Sequence, residues 1–201
     1  SNLVLAGYKS FEYISHEFTS LVKRGVNVLH DEVIEVDPLK KSVRTKTGMF
    51  FKADNIVVCP GIDLDFAAID GFDAVAQRTV LHAWRGGMQT IALRRRLSTL
   101  HDGGVFLISI PPAPYRCPPG PYERASLVAN YFKKYKPKSK VILLDSNPDI
   151  QSKKTLFQSV WERKYRNNLE YVPNIEIAGV DSKRGILFSQ FGDNFRGDVL
   201  N

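Results

Sequence analysis

Between residues 105 and 165 the sequence alternates between two kinds of segment. VFLISI (105–110) is a short unbroken apolar run, SLVANYFKKYK (126–136) spaces its apolar residues as a helix does, KVILLD (140–145) repeats the first kind and KTLFQSVWERKY (154–165) the second. Strands apolar on both faces need cover on both faces, and joining them through helices makes them parallel neighbours. The order predicts a doubly wound α/β unit. A further helix, closed by glycines, is expected within GGMQTIALRRRLSTLHDGG (86–104).

The first half reads differently. FEYISHEFTSLVKRG (11–25) has helical spacing and ends on Gly25. VNVLHDEVIEVDPL (26–39) alternates as a strand and turns at Asp37-Pro38. SVRTKTGMFFKADNIVVCPGI (42–62) predicts two short strands about a Thr-Gly turn, then a buried strand NIVVC that ends at Pro60-Gly61. After an irregular stretch (63–85) and the α/β segment, residues 169–200 return to short strands around a Lys-Arg-Gly turn. A meander followed by a strand back to the sheet thus occurs twice, as two dinucleotide-type domains would give. Two Rossmann-like domains are expected, 1–72 without its opening βαβ and 73–201 truncated at its end. The chain is expected to be a fragment of a longer protein.

Composition narrows the function classes. The 201 residues are 43% hydrophobic and 24% charged, ordinary for a globular chain with a proper core. No apolar run reaches the roughly 18 residues of a membrane span, and SNLVLAGYKS does not read as a signal peptide. The net charge of +7 would suit an acidic partner, but the basic runs KKYKPKSK (133–140) and RRR (94–96) read first as solvated helix faces. No helix-turn-helix, zinc-finger or RNA-binding signature is present, so nucleic acid is disfavoured. Two cysteines, Cys59 and Cys117, make no disulfide framework, and no metal site is assigned.

The segment after VFLISI carries the chemistry. A dinucleotide-binding unit puts glycines there, so that free N–H groups can hold a pyrophosphate. This chain has PPAPYRCPPGPYER (111–124), with Pro111, Pro112, Pro114, Pro118, Pro119 and Pro121. Proline has no N–H, so the second unit should bind a nicotinamide cofactor poorly or not at all. Asp145, where such folds place a ribose-binding acid, then reads as a turn residue. Cys117 stands just ahead of a helix that begins near Pro121, flanked by Arg116 and Arg124; a helix N-terminus and nearby cations both stabilise a thiolate. Glu123 in the first turn could act as an acid or base near the sulfur, or could simply complement the helix dipole.

RCPPGPYERAS (116–126), KPKSKVILLDS (136–146) and LFQSVWERKY (156–165) resemble the flavoprotein subunit of flavocytochrome c sulfide dehydrogenase. VCPGIDL (58–64), HAWRGGMQT (82–90), HDGGVFLISIPPAP (101–114) and FGDNFRGDVLN (191–201) extend the resemblance over nearly the whole chain. It implies a glutathione-reductase-like pair of domains, FAD, a periplasmic location, sulfide as substrate and a c-type cytochrome subunit as electron acceptor. It also implies that Cys117 is half of a redox-active disulfide whose other cysteine lies beyond residue 201, with Glu123 close by. The FAD-facing positions would be Glu32, Val33, Pro60 and Gly61, although residues 1–201 alone are expected to hold no FAD. Cys59 departs from the pattern and reads as a spare buried thiol. A quinone as acceptor, or a degenerate flavoprotein domain without catalysis, remain the alternatives.

Overall fold

The computed structural model describes residues 1–201. Two compact units form, one from residues 1–15 and 65–201 and one from 16–64. The division differs from a cut at 72/73 because residues 65–72 pack with the second half. Asp70 bridges to Gly179 through its N–H to Ala178 O (2.8 Å), and its carbonyl accepts the Val180 N–H at 2.8 Å. The larger unit opens with α1 (Asn2–Leu5), whose Val4 and Leu5 are buried.

The 16–64 unit holds one turn of helix, α2 (Thr19–Val22), and an antiparallel meander of β1 (Val33–Asp37), β2 (Ser42–Thr45) and β3 (Phe50–Lys52). The Asp37 carboxylate accepts the N–H groups of Leu39 and Lys40 at 3.0 and 2.8 Å, fixing the expected turn. Two expectations fail. Residues 11–25 form a 3₁₀ turn (Glu12–Ile14) and then α2 instead of one helix. Phe18 and Val22 are exposed, and a helix this short needs a buried face to persist. NIVVC forms no strand, and Val57 is 85% exposed, because no strand of the unit lies alongside to pair with it.

In the larger unit the alternation folds as expected. Its elements are α3 (Met88–Thr99), β4 (Val105–Ile110), α4 (Gly120–Tyr135), β5 (Lys140–Asp145) and α5 (Lys154–Val160). A π-helical turn (Trp161–Tyr165) then leads to β6 (Leu169–Val172). A second meander follows, β7 (Ile177–Asp181), β8 (Ile186–Ser189) and β9 (Asn194–Arg196), before β10 (Val199–Leu200). The sheet runs β10-β4-β5-β6 with every pair parallel.

The period of two along the strands sorts the core. Phe106, Ile108 and Ile110 of β4, with Val141 and Leu143 of β5, pack on Leu93, Leu97, Tyr122, Val128 and Phe132 of the helices. Leu107 and Leu144 face the other way, onto Ile177, Val180 and Leu187 of the second meander. Both faces of the sheet are therefore covered, and β4 delivers the chain into the proline loop at its carboxyl end.

Candidate functional site

The loop between β4 and α4 is tied down by side chains, since its prolines can offer few amides. Asn147, two residues past β5, donates to Pro111 O (3.1 Å) and accepts the Ala113 N–H (2.9 Å). Tyr115 Oη meets Tyr122 Oη at 3.2 Å. Tyr122 Oη donates to Asp145 Oδ2 (2.8 Å) and accepts the Gln151 N–H (3.0 Å). Tyr171 from β6 donates to the same carboxylate oxygen at 3.1 Å, and Asn147 donates to Asp145 Oδ1 through both its backbone and its amide, at 3.0 and 2.7 Å.

Asp145 is completely buried, yet all these donors converge on it. Its carboxylate is saturated as the anchor of the loop, which agrees with a turn role and leaves no acceptor for a ribose. Burial, reinforced by Tyr115 for Tyr122 and by the Asp145 charge for Tyr171, pushes both phenols well above their usual range.

At the far end of the anchored loop stands Cys117. It is exposed, a free thiol, and its backbone is left-handed (φ +60°). Its carbonyl accepts the Gly120 N–H at 2.8 Å, which leads directly into α4. A left-handed residue bearing a Cβ costs about 1–2 kcal/mol, and such strain persists only where the surroundings enforce it. Cys117→Gly is accordingly expected to unfold at higher free energy than Cys117→Ala by about 1 kcal/mol, read from urea titrations. Equal stability of the two variants would mean that the loop carries no strain at this residue.

Gly120 is the floor of the site. A methyl group there would lie 3.4 Å from Cys117 Sγ and 3.5 Å from Cζ3 of Trp84, so thiol and indole edge both border the space at Gly120. Trp84 is stacked in turn on Arg124, whose guanidinium carbon lies 3.4 Å from the ring centre. Arg124 does not flank the thiol as expected. It is completely buried and donates to Asn2 Oδ1 (3.1 Å), His82 O (2.6 Å), Asn201 Oδ1 (2.8 Å) and Ala83 O (2.9 Å). Desolvation pulls its pKa down to about 9, which leaves it charged at neutral pH. His82 is held below its usual range by burial and then by the Arg124 and Arg85 charges.

Arg116 is exposed beside Cys117, and Glu123 is exposed in the first turn of α4, where a carboxylate complements the helix dipole. Trp84 and the buried position of Arg124 escaped the sequence reading. Arg124 had a signal, because helical spacing puts it with Ala125, Val128 and Phe132 on the buried side of α4.

The four residues expected to face FAD all lie in the 16–64 unit. Glu32 pairs with Lys46 at 2.7 Å, Val33 lies in β1, and Pro60 and Gly61 follow the unpaired Val57-Val58 segment. All four are exposed, and nothing lies within 4 Å of a methyl group placed at Gly61. These residues form no cradle by themselves. Cys59 is also exposed and free, against the expectation of a buried thiol, because the strand that would have buried it does not form.

The family pattern described as "Sulfide dehydrogenase [flavocytochrome c] flavoprotein chain, central" matches residues 90–201. That match takes in the proline loop, Cys117 and Glu123. The mitochondrial sulfide:quinone oxidoreductase of Mus musculus is 25% identical over 152 residues, 70% of this chain and 31% of the mouse protein. Among solved structures, the sulfide:quinone oxidoreductase of the hyperthermophilic bacterium Aquifex aeolicus superposes with a TM-score of 0.74 at 19% identity, over 96% of this chain and 46% of that one. The covalent putidaredoxin reductase–putidaredoxin complex gives 0.69 at 15% identity, over 98% and 46%. These two share the fold, and the chain spans about a third of the mouse relative and about half of either solved chain.

Proposed function

The chain belongs to the family of flavocytochrome c sulfide dehydrogenase flavoprotein chains, as its central part, and from that premise we propose that the whole protein is an FAD-dependent sulfide oxidoreductase in which Cys117 meets the sulfur substrate. The observation that carries this reading is the setting of Cys117: exposed, held in left-handed backbone at the start of α4, on a loop anchored through Asp145. A residue kept in a costly conformation on a rigid support suits a sulfur that must be presented at a fixed point.

The chemistry on this chain is thiol–disulfide exchange. Cys117 forms a disulfide with a cysteine outside residues 1–201. A hydrosulfide attacks one of its sulfurs, a bond from substrate sulfur to that sulfur forms, the cysteine–cysteine bond breaks, and the other sulfur departs as thiolate. The thiolate carries the two electrons lost by the substrate. Glu123, in the first turn of the same helix, takes up the hydrosulfide proton and returns it to solvent. FAD is the acceptor that the family description as a flavoprotein chain supports, and the resemblance adds a c-type cytochrome subunit and a periplasmic site of action.

The similarity to sulfide:quinone oxidoreductases supports a second reading, in which electrons leave to a quinone. Supplying the whole protein with sulfide and, in separate assays, cytochrome c or a soluble quinone analogue separates the two. Cytochrome c is expected to be reduced at least about tenfold faster. The reverse preference would establish the quinone reading, and a purified whole protein without flavin absorbance would contradict both.

A further inference from the structure

The two side chains that border Gly120, far apart in sequence, each belong to or follow a left-handed residue other than glycine. One such residue is Cys117; the other is Ala83 (φ +48°), completely buried and immediately before Trp84. The backbone about Ala83 is held from several sides. Arg124 donates to the carbonyls of His82 and Ala83, Asn201 Nδ2 donates to those of Leu81 (2.6 Å) and His82 (3.0 Å), and the Ala83 N–H donates to Gln89 Oε1 (3.1 Å). The Trp84 N–H donates to His82 Nδ1 at 3.1 Å.

A buried arginine without a carboxylate partner is expensive, and here it serves to fix one short segment and to stack on that segment's indole. The indole nevertheless remains 38% exposed, so little of this hardware is explained by burying apolar surface. What the hardware does achieve is to hold the indole edge against Gly120, the same glycine that the thiol borders.

Resting on the assignment of Cys117 as the sulfur-reactive residue, we propose that Trp84, pinned by Arg124, is a specificity-determining wall of the site: it leaves Cys117 open to small sulfur nucleophiles and obstructs bulky thiols and disulfides. A rigid aromatic edge discriminates by size without a polar contact, which suits a substrate as small and as poor in hydrogen-bonding groups as hydrosulfide. Gly120 belongs to the same device, since any side chain there would fill the gap that the wall leaves.

The test uses the whole protein, reduced and then freed of reductant, with every cysteine other than Cys117 replaced by serine, and compares the rate of alkylation by iodoacetamide with the rate of reaction with the bulky aromatic disulfide DTNB. Trp84→Ala is expected to raise the DTNB rate by about tenfold and the iodoacetamide rate by less than about twofold, with Trp84→Phe close to the parent. Unchanged rates, or an equal rise in both, would overturn the wall, the latter because general loosening of the loop exposes the thiol to every reagent alike. The assay does not depend on sulfide turnover. If Cys117 proved dispensable for sulfide oxidation in the whole protein while the rate ratio still shifted, the substrate assignment would fall and the wall would stand.

Discussion

Alanine in place of Asp145 is expected to lower the unfolding free energy by about 3 kcal/mol, among the largest effects of any single substitution in the α/β core. The carboxylate is completely buried and accepts from Tyr122, Tyr171 and, twice, Asn147. Removing it strands two phenolic hydroxyls and an amide away from water, and each unsatisfied buried donor costs about 1–3 kcal/mol. The gain from no longer desolvating a charge offsets part of this, and Tyr122 keeps Tyr115 as a neighbour. Asp145→Asn preserves an acceptor and should lose roughly half as much. The same tyrosines set an alkaline limit. Their folded pKa values are raised, so the folded state holds phenolic protons that the unfolded chain releases at about pH 10. Stability from this source is complete below that pH and is lost as pH rises through and beyond it. Urea titrations from pH 7 to 11 read both effects; a flat profile in that range, or an Asp145→Ala variant as stable as the parent, would contradict the anchor.

How much of this could be read beforehand follows physical lines. VFLISI and KVILLD form strands over the expected residues because an apolar run of that length has one good use beside a crossover helix. NIVVC has the same composition and fails because a strand is a property of its neighbours, and none of the 16–64 unit lies beside it. The helix expected over 11–25 fails for a related reason, its apolar residues finding nothing to cover them. At the site, the position of Cys117 just before a helix was legible from the prolines around it. The loop's anchoring was not, because Asp145, Asn147 and Tyr171 reach it only through the parallel register of β4, β5 and β6. At Arg124 two signals in the sequence conflict. Charge suggested the surface, while its phase on α4 puts it inside. Trp84, more than one element away in sequence, left no local signal of its approach to Cys117.

The central claim is that Cys117 is where sulfur chemistry occurs, and serine in its place removes one sulfur of the disulfide that hydrosulfide attacks while changing little else. Cys117 is exposed and makes no side-chain hydrogen bond that a hydroxyl would disturb, and serine in left-handed backbone carries a strain similar to that of cysteine. The loop anchors at Asn147 and Asp145 lie elsewhere, so the folded site should survive. A hydroxyl cannot enter a disulfide, and the attack by hydrosulfide then has no bond to break. The decisive measurement is sulfide-dependent reduction of cytochrome c, or of a quinone analogue, by the whole protein carrying Cys117→Ser. Turnover is predicted to fall by roughly three orders of magnitude or more with either acceptor, while turnover within about tenfold of the parent would contradict the assignment of Cys117 and the function built on it.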